Sequence, residues 1–328
     1  MNRAEAKLDR EEKAKVRTES EKQRQEADKR TNESIEKSIA LYQKALEEDP
    51  NYAEAYAEIA NSTFLQTYYG SADPTLAAEK TKSYLSKAED IDNRISRVYT
   101  VKGLLYNHTK KFDKAKEAFE KAIALSPNDI TARHQYATYF YYINEYEKQL
   151  EQTKIAYRLD PMSFATASSY FNALTYSEKY NEAEKLLQKI EKQYSERDRF
   201  SINRLYMRLY MAKPDYKKAI NPLAELAKED KAYYRFLGYS YAQMGDTANA
   251  YRIIDSIKAI APHRMQNHRI AVVFSGLQDR DSVFFYLDTT RNKSQLFNNS
   301  RITYFDNLKS DERYEALLKL HGITDSVK

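Results

Sequence analysis

The sequence predicts an all-α fold, an α-solenoid of about seven to eight helix–turn–helix repeats closed by a C-terminal capping helix. The first observation is the stretch Ser96 to Asp129, SRVYTVKGLLYNHTKKFDKAKEAFEKAIALSPND, which fits two amphipathic helices and a turn into 34 residues. Gly103 sits among bulky Tyr99, Leu105 and Tyr106, while Ala115, Phe119 and Ala122 fall at i, i+4 and i+7 on one helix face. Small residues facing each other let antiparallel helices approach closely, large ones fill the groove beside them, and Pro127 ends the unit because it cannot continue a helix. The second observation is that this pattern recurs in phase along the chain. The third is composition: six glycines and seven prolines in 328 residues, 31% charged side chains, 29 tyrosines and no tryptophan suit exposed helices. A chain of this length exceeds one ordinary core, whereas a repeat array lengthens without enlarging any core.

Taken in order, residues 1–30 carry ten basic and eight acidic side chains and almost nothing apolar, which predicts a charged helical or frayed arm. The repeat array is expected over 31–303 and the capping helix with its tail over 304–328. From Thr31, Tyr42, Ala45 and Pro50 repeat the offsets of Phe119, Ala122 and Pro127, so this is a second helix whose expected first-helix partner is the charged arm. Tyr56, Ile59 and Ala60 then mark a first helix, and Thr75 to Asp90 its partner. Between them lies a longer loop, with Asp73 or Ser71 as N-cap before Pro74. Ile130 to Ser163 is again 34 residues, with Tyr136, Ala137, Phe140 and Ala156 in the packing positions and Gln149 where Ala115 stood. The fifth repeat has Tyr170, Leu174, Ala183 and Leu187; the sixth has Tyr206, Tyr210, Ala219 and Leu223, with a kink expected at Pro222. Tyr234, Leu237, Gly238, Tyr241, Gly245, Ala250 and Pro262 restore the pattern in the seventh. An eighth pair runs from about Met265 to Asn292 with Ala271, Phe274 and Leu287, and Tyr314, Leu317 and Leu318 mark the final helix. A terminal repeat would otherwise expose an apolar face.

The order aromatic, Gly, Tyr, then Ala, Phe, Ala and Pro in Tyr99, Gly103, Tyr106, Ala115, Phe119, Ala122 and Pro127 resembles a tetratricopeptide repeat. Only the Leu position departs, with Lys102 in its place. The resemblance implies a right-handed superhelix that acts as a protein-binding scaffold. At the other end Asp306, Leu308, Asp311, Arg313, Tyr314, Leu317 and Leu318 resemble the close of tetratricopeptide arrays that follow winged-helix or nucleotide-cyclase domains in bacterial regulators, a similarity that spans residues 31–323. It implies a second reading, the sensory half of a signalling or transcription regulator.

Catalysis finds little to work with. No cysteine is present, which removes thiolate nucleophiles and cysteine-held zinc, and the six glycines form no phosphate-cradling loop. None of the five histidines begins an HExxH, and His263 with His268 reads as a solvated turn rather than a metal site. No enzyme, cofactor or metal is therefore expected. The charge of +5, from 53 basic and 48 acidic residues, gives no strong global field. The longest apolar runs, such as Ile270 to Phe274, fall far short of a membrane span. With a charged N-terminus and no signal-peptide pattern, the expected location is cytoplasmic, the alternative being the soluble part of a longer or exported protein.

In the arrays that this sequence resembles, first helices line a concave groove at offsets 2, 5, 9, 12 and 13 of each repeat. That phase implies Arg97, Thr100, Asn107 and His108 from the third repeat and His134, Thr138, Tyr141 and Tyr142 from the fourth. It adds Ser168, Asn172, Thr175 and Tyr176 from the fifth, Arg204 and Arg208 from the sixth, and Arg235, Tyr239 and Gln243 from the seventh. The set contains no carboxylate. Arg and His with Asn and Tyr suit an extended acidic segment or a C-terminal carboxylate of a protein partner, because guanidinium clamps carboxylate in bidentate fashion. The clamp of chaperone-tail binders is not expected, since its offset pairs read Ala57 and Asn61, Thr100 and Leu104, His134 and Thr138. Single-stranded RNA is the competing and disfavoured partner, through Arg204, Arg208, Lys213, Lys217 and Lys218 interleaved with Tyr206, Tyr210 and Tyr216.

Overall fold

The computed structural model describes residues 32–68, 72–194, 198–260, 266–288 and 304–320. The expected arm over 1–30, Pro262 and His263 lie outside the described residues, as do the side chains of Leu317 and Leu318. The chain forms two compact units that meet in sequence at Pro161 and Met162. All regular structure among the described residues is helical.

The first unit contains α1 (Asn32–Glu48), α2 (Ala53–Tyr68), α3 (Pro74–Ile91), α4 (Ser96–His108), α5 (Phe112–Leu125), α6 (Ile130–Tyr142) and α7 (Tyr146–Leu159). Helices α2 and α3, α4 and α5, and α6 and α7 pack as pairs, and the first helices of successive pairs also touch, α2 with α4 and α4 with α6. The opening stretch packs as its spacing requires: Ala115, Phe119 and Ala122 are fully buried. A Cβ added to Gly103 would stand 2.6 Å from the Phe119 ring, so the close approach of α4 to α5 depends on that glycine. Lys102, the departure from the pattern, pairs with Glu89 while its ammonium lies 5.4 Å from the centre of the Tyr99 ring. Gln149, in the place of Ala115, is buried, and its Oε1 has no hydrogen-bond partner among the described residues.

The second unit contains α8 (Phe164–Tyr176), α9 (Tyr180–Tyr194), α10 (Arg199–Ala212), α11 (Tyr216–Glu229), α12 (Tyr234–Gln243), α13 (Thr247–Lys258), α14 (Asn267–Gly276), α15 (Arg280–Asp288) and α16 (Glu312–Leu320). Pairing again follows the sequence, α8 with α9, α10 with α11, α12 with α13 and α14 with α15. Helix α11 continues through Pro222. In α16, Arg313 bonds Asp281 at 2.7 Å and lies 4.3 Å from the centre of the Phe284 ring, which fastens it to α15.

Short side-chain caps start the helices. Asp73 accepts from the Leu76 amide at 2.9 Å, with Pro74 opening α3, as the sequence implies. Asp129, Asp198 and Asp246 do the same for α6, α10 and α13. Five of the turns inside the repeats share one geometry: Lys110, Asn144, Glu178, Gly245 and Gln278 all adopt a left-handed backbone, with φ between 56° and 78°. The next amide bonds back five residues, as Lys111 to Tyr106, Glu145 to Phe140, Lys179 to Leu174 and Asp246 to Tyr241. This satisfies carbonyls that the end of a helix leaves open. Only at Gly245 does the residue type suit the backbone without cost.

Candidate protein-binding surfaces

In the first unit many of the implied groove residues are engaged by the protein itself. Arg97 reaches from α4 to Glu58 on α2, Nη2 to Oε2 at 2.8 Å, with side-chain exposures of 15% and 10%. Burial works against the Arg97 charge, but Glu58, helped by Asp129 and Tyr42, outweighs it and holds the guanidinium pKa above its ordinary value. Its Nε is buried without a hydrogen bond among the described residues. Thr100 turns its hydroxyl onto the Ser96 carbonyl at 3.1 Å. Asn107 keeps a buried Oδ1 with no partner among the described residues. His108 is exposed and meets Phe64 edge-on, centroids 5.7 Å apart. On α6 the His134 carbonyl accepts from Thr138, and Tyr141 and Tyr142 meet edge-on at 5.8 Å, with Tyr142 exposed.

In the second unit α8, with Asn172 and Tyr176, packs beside α10, with Arg204 and Arg208. The Arg208 guanidinium lies 6.0 Å from the centre of the Tyr176 ring, the limit of a cation–π contact. Arg204 is exposed and pairs with no carboxylate among the described residues. Asn172, like Asn107, holds a buried Oδ1 without a partner among the described residues. The basic and aromatic stretch proposed for RNA is differently disposed. Lys213 and Lys218 both pair with Glu184, at 3.4 and 3.5 Å, and Tyr206 and Tyr210 stack on each other while bonding Glu191 and Glu184. Their ring faces and charges are thus largely committed within the protein.

Arg235 and Tyr239 on α12 are half-buried, and the Arg235 guanidinium lies 4.4 Å from the centre of the Phe236 ring. The Tyr304 ring meets Tyr239 edge-on at 4.9 Å and Phe236 at 5.7 Å, and Tyr216 also meets Tyr239 edge-on at 5.9 Å. Burial lowers the Arg235 pKa, with Arg269 adding repulsion, and burial raises those of Tyr239 and Tyr304. Gln243 spends its amide on the Gly276 carbonyl at 3.2 Å. No cluster of His, Cys, Asp or Glu among the described residues is arranged to hold a metal ion.

Sequence reasoning missed Glu58, Phe236 and Tyr304. A cation in a groove needs a carboxylate near it, but which of Glu54 or Glu58 faces Arg97 depends on the rotation of α2, and Tyr304 lies in a segment without repeat grammar.

The geometry of α4 and α5 agrees with a family comparison, in which the tetratricopeptide repeat model matches residues 96–129. Residues 96–129 are a tetratricopeptide repeat. Among solved structures the chain is similar to PilW, a widely conserved type IV pilus biogenesis factor, at a TM-score of 0.56 and 13% identity over 68% of this chain and 98% of that one. It is similar to the APC/C hetero-tetramer Cut9–Hcn1 at 0.56 and 15%, over 88% of this chain and 52% of that one. A tetratricopeptide repeat protein from Parabacteroides merdae aligns at 0.49 and 14%, over 85% of this chain and all of that one. No curated protein matches the sequence. At these identities the likeness is one of fold: each unit is a run of tetratricopeptide-type helix pairs. No helix among the described residues is long and apolar enough to cross a membrane.

Proposed function

We propose that this chain is a non-catalytic scaffold that captures a protein partner on the first-helix faces of its tetratricopeptide-type repeats, and that the face of α8 and α10 receives an extended acidic segment or a C-terminal carboxylate. The observation that supports this reading most is the state of the arginines. Arg97 is neutralised by Glu58 and Arg235 is half-buried with its guanidinium 4.4 Å from the centre of the Phe236 ring, whereas Arg204 is exposed and unpaired among the described residues, with Arg208 one helical turn away against Tyr176. A guanidinium pair of this kind offers two forks to carboxylate oxygens. Tyr176 supplies rigid contact area beside the charges. The face in the first unit, with Asn107, His108, His134, Tyr141 and Tyr142, brings no Arg, Lys, Asp or Glu from these positions and suits a polar or aromatic stretch of a partner.

The test is capture from the native cell followed by mass spectrometry, run in parallel with the Arg204→Glu, Arg208→Glu variant. Partners retained by the native chain and lost by a variant with an unchanged circular dichroism melt support the reading. A folded variant that retains them overturns it. Salt separates the RNA alternative, since nucleic-acid binding falls steeply and linearly with log salt whereas two ion pairs soften only moderately.

A further inference from the structure

Fifteen residues of sequence after α15, the chain lays Tyr304 and Phe305 against the first-helix face of the last two repeats. The ring contacts of this pair and the hydrogen bond to its backbone fall on α12 and α14, the first helices of those repeats. Tyr304 packs on Tyr239 and Phe236 of α12, and the Ser275 hydroxyl of α14 donates to the Tyr304 carbonyl. Phe305 meets the His268 ring edge-on at 5.9 Å, and both Phe305 and Leu308 are buried in the hydrophobic cluster built from α12 to α15. In the repeat phase Arg235 and Tyr239 occupy offsets 5 and 9 of the seventh repeat, and His268 and Ser275 offsets 5 and 12 of the eighth. These are the positions that such repeats leave free for ligands. The capping of α15 is performed elsewhere, by Arg313 of α16 on Phe284 and Asp281. The contacts of Tyr304 and Phe305 are therefore those of a peptide in a recognition groove: two adjacent rings seated among aromatic walls and one main-chain carbonyl held by a hydroxyl.

We propose that the segment Tyr304–Leu308 is an intramolecular ligand, which fills the groove of the last two repeats and closes it until an extended segment carrying adjacent aromatic residues displaces it. The proposal extends the groove reading given above to a second site but does not need the partner of Arg204 and Arg208. A tethered ligand competes at an effective concentration of roughly millimolar order, so only a chain whose own segment is disabled binds the same sequence readily from solution.

The test uses the full chain and a synthetic peptide of its residues 301–311. With Tyr304→Ser and Phe305→Ser in the chain, the peptide is expected to bind at least about tenfold more tightly than it binds the native chain, and a peptide with both aromatics replaced binds neither. Equal binding to native and variant chains, or no binding to a variant of native helicity, overturns the proposal. A second measurement covers loss of folding in that variant. The chain has no tryptophan, so Phe305→Trp installs a single indole, which red-edge excitation selects over the 29 tyrosines. Its fluorescence is expected to be that of a buried indole and to shift red when excess 301–311 peptide displaces it. Emission that excess peptide leaves unmoved marks the segment as a permanent part of the core and overturns the proposal as well. Because no outside partner enters either arm, failure here leaves capture at Arg204 and Arg208 untouched, and the reverse holds too.

Discussion

Arg97 of α4 and Glu58 of α2 face each other at 2.8 Å across successive helix pairs of the first unit, both nearly out of water. The pair joins the repeat at 96–129 to the one before it, and it ties the charge that an isolated groove position would have offered to a ligand.

Removing one partner strands a charge in a low-dielectric contact, which costs more than the intact pair ever contributes. Glu58→Ala is expected to destabilise the first unit by about 3 kcal/mol, and the double change Glu58→Met with Arg97→Met to stay within about 1 kcal/mol of native stability. Chemical denaturation of the four corners of this cycle measures it; a Glu58→Ala chain as stable as native would mean that the pair is dispensable.

Gly103 has no room to grow, since the Phe119 ring stands where its Cβ would be and is itself fully buried. Gly103→Ala should therefore cost about 1–3 kcal/mol despite the better helix propensity of alanine. A raised melting temperature would show that α4 and α5 slide apart freely.

Glu178 sits in a left-handed conformation with φ of 59° at the turn between α8 and α9, where the seventh repeat uses Gly245. Left-handed backbone strains a residue with a Cβ, so Glu178→Gly is expected to stabilise the second unit by up to about 1 kcal/mol, against the loss of chain entropy that glycine brings. Thermal melts of the single variant decide it, and a drop of several degrees would refute the strain.

Acid should loosen particular contacts. The Lys102 ammonium holds the Glu89 pKa below its ordinary 4.5, and the Tyr206 hydroxyl with Arg199 does so for Glu191. Arg313 draws Asp311 from 3.8 down to about 2. Each carboxyl is more acidic folded than unfolded, so its contribution is present above the unfolded value and disappears as pH falls through the folded one. Melting temperatures recorded from neutral pH down to about pH 3 should fall less steeply for Glu89→Gln with Glu191→Gln than for the native chain. Parallel curves would remove these carboxylates from the acid response.

The helices themselves were legible because repeat grammar is local. Ala115, Phe119 and Ala122 share a face by spacing alone, Asp73 caps α3 because Pro74 follows it, and recurrence in phase placed α6 to α15 without any knowledge of contacts. The proposed groove is legible only as a register of positions. Spacing shows that Arg97, Arg204 and Arg235 occupy first-helix offsets, but it holds no information on which of them finds a carboxylate or a covering ring.

What the sequence determined by itself is therefore the helix-pair unit, its packing face and the turn that closes it, all set by side chains within 34 residues of one another. Tertiary structure decided what remains available for binding. The partner of Arg97 lies 39 residues upstream, and the carbonyl that Ser275 holds belongs to Tyr304, 29 residues downstream. Both contacts depend on the rotation and spacing of helices that period alone leaves undetermined, because electrostatic pairing and ring packing are fixed by distance in space rather than by position along the chain.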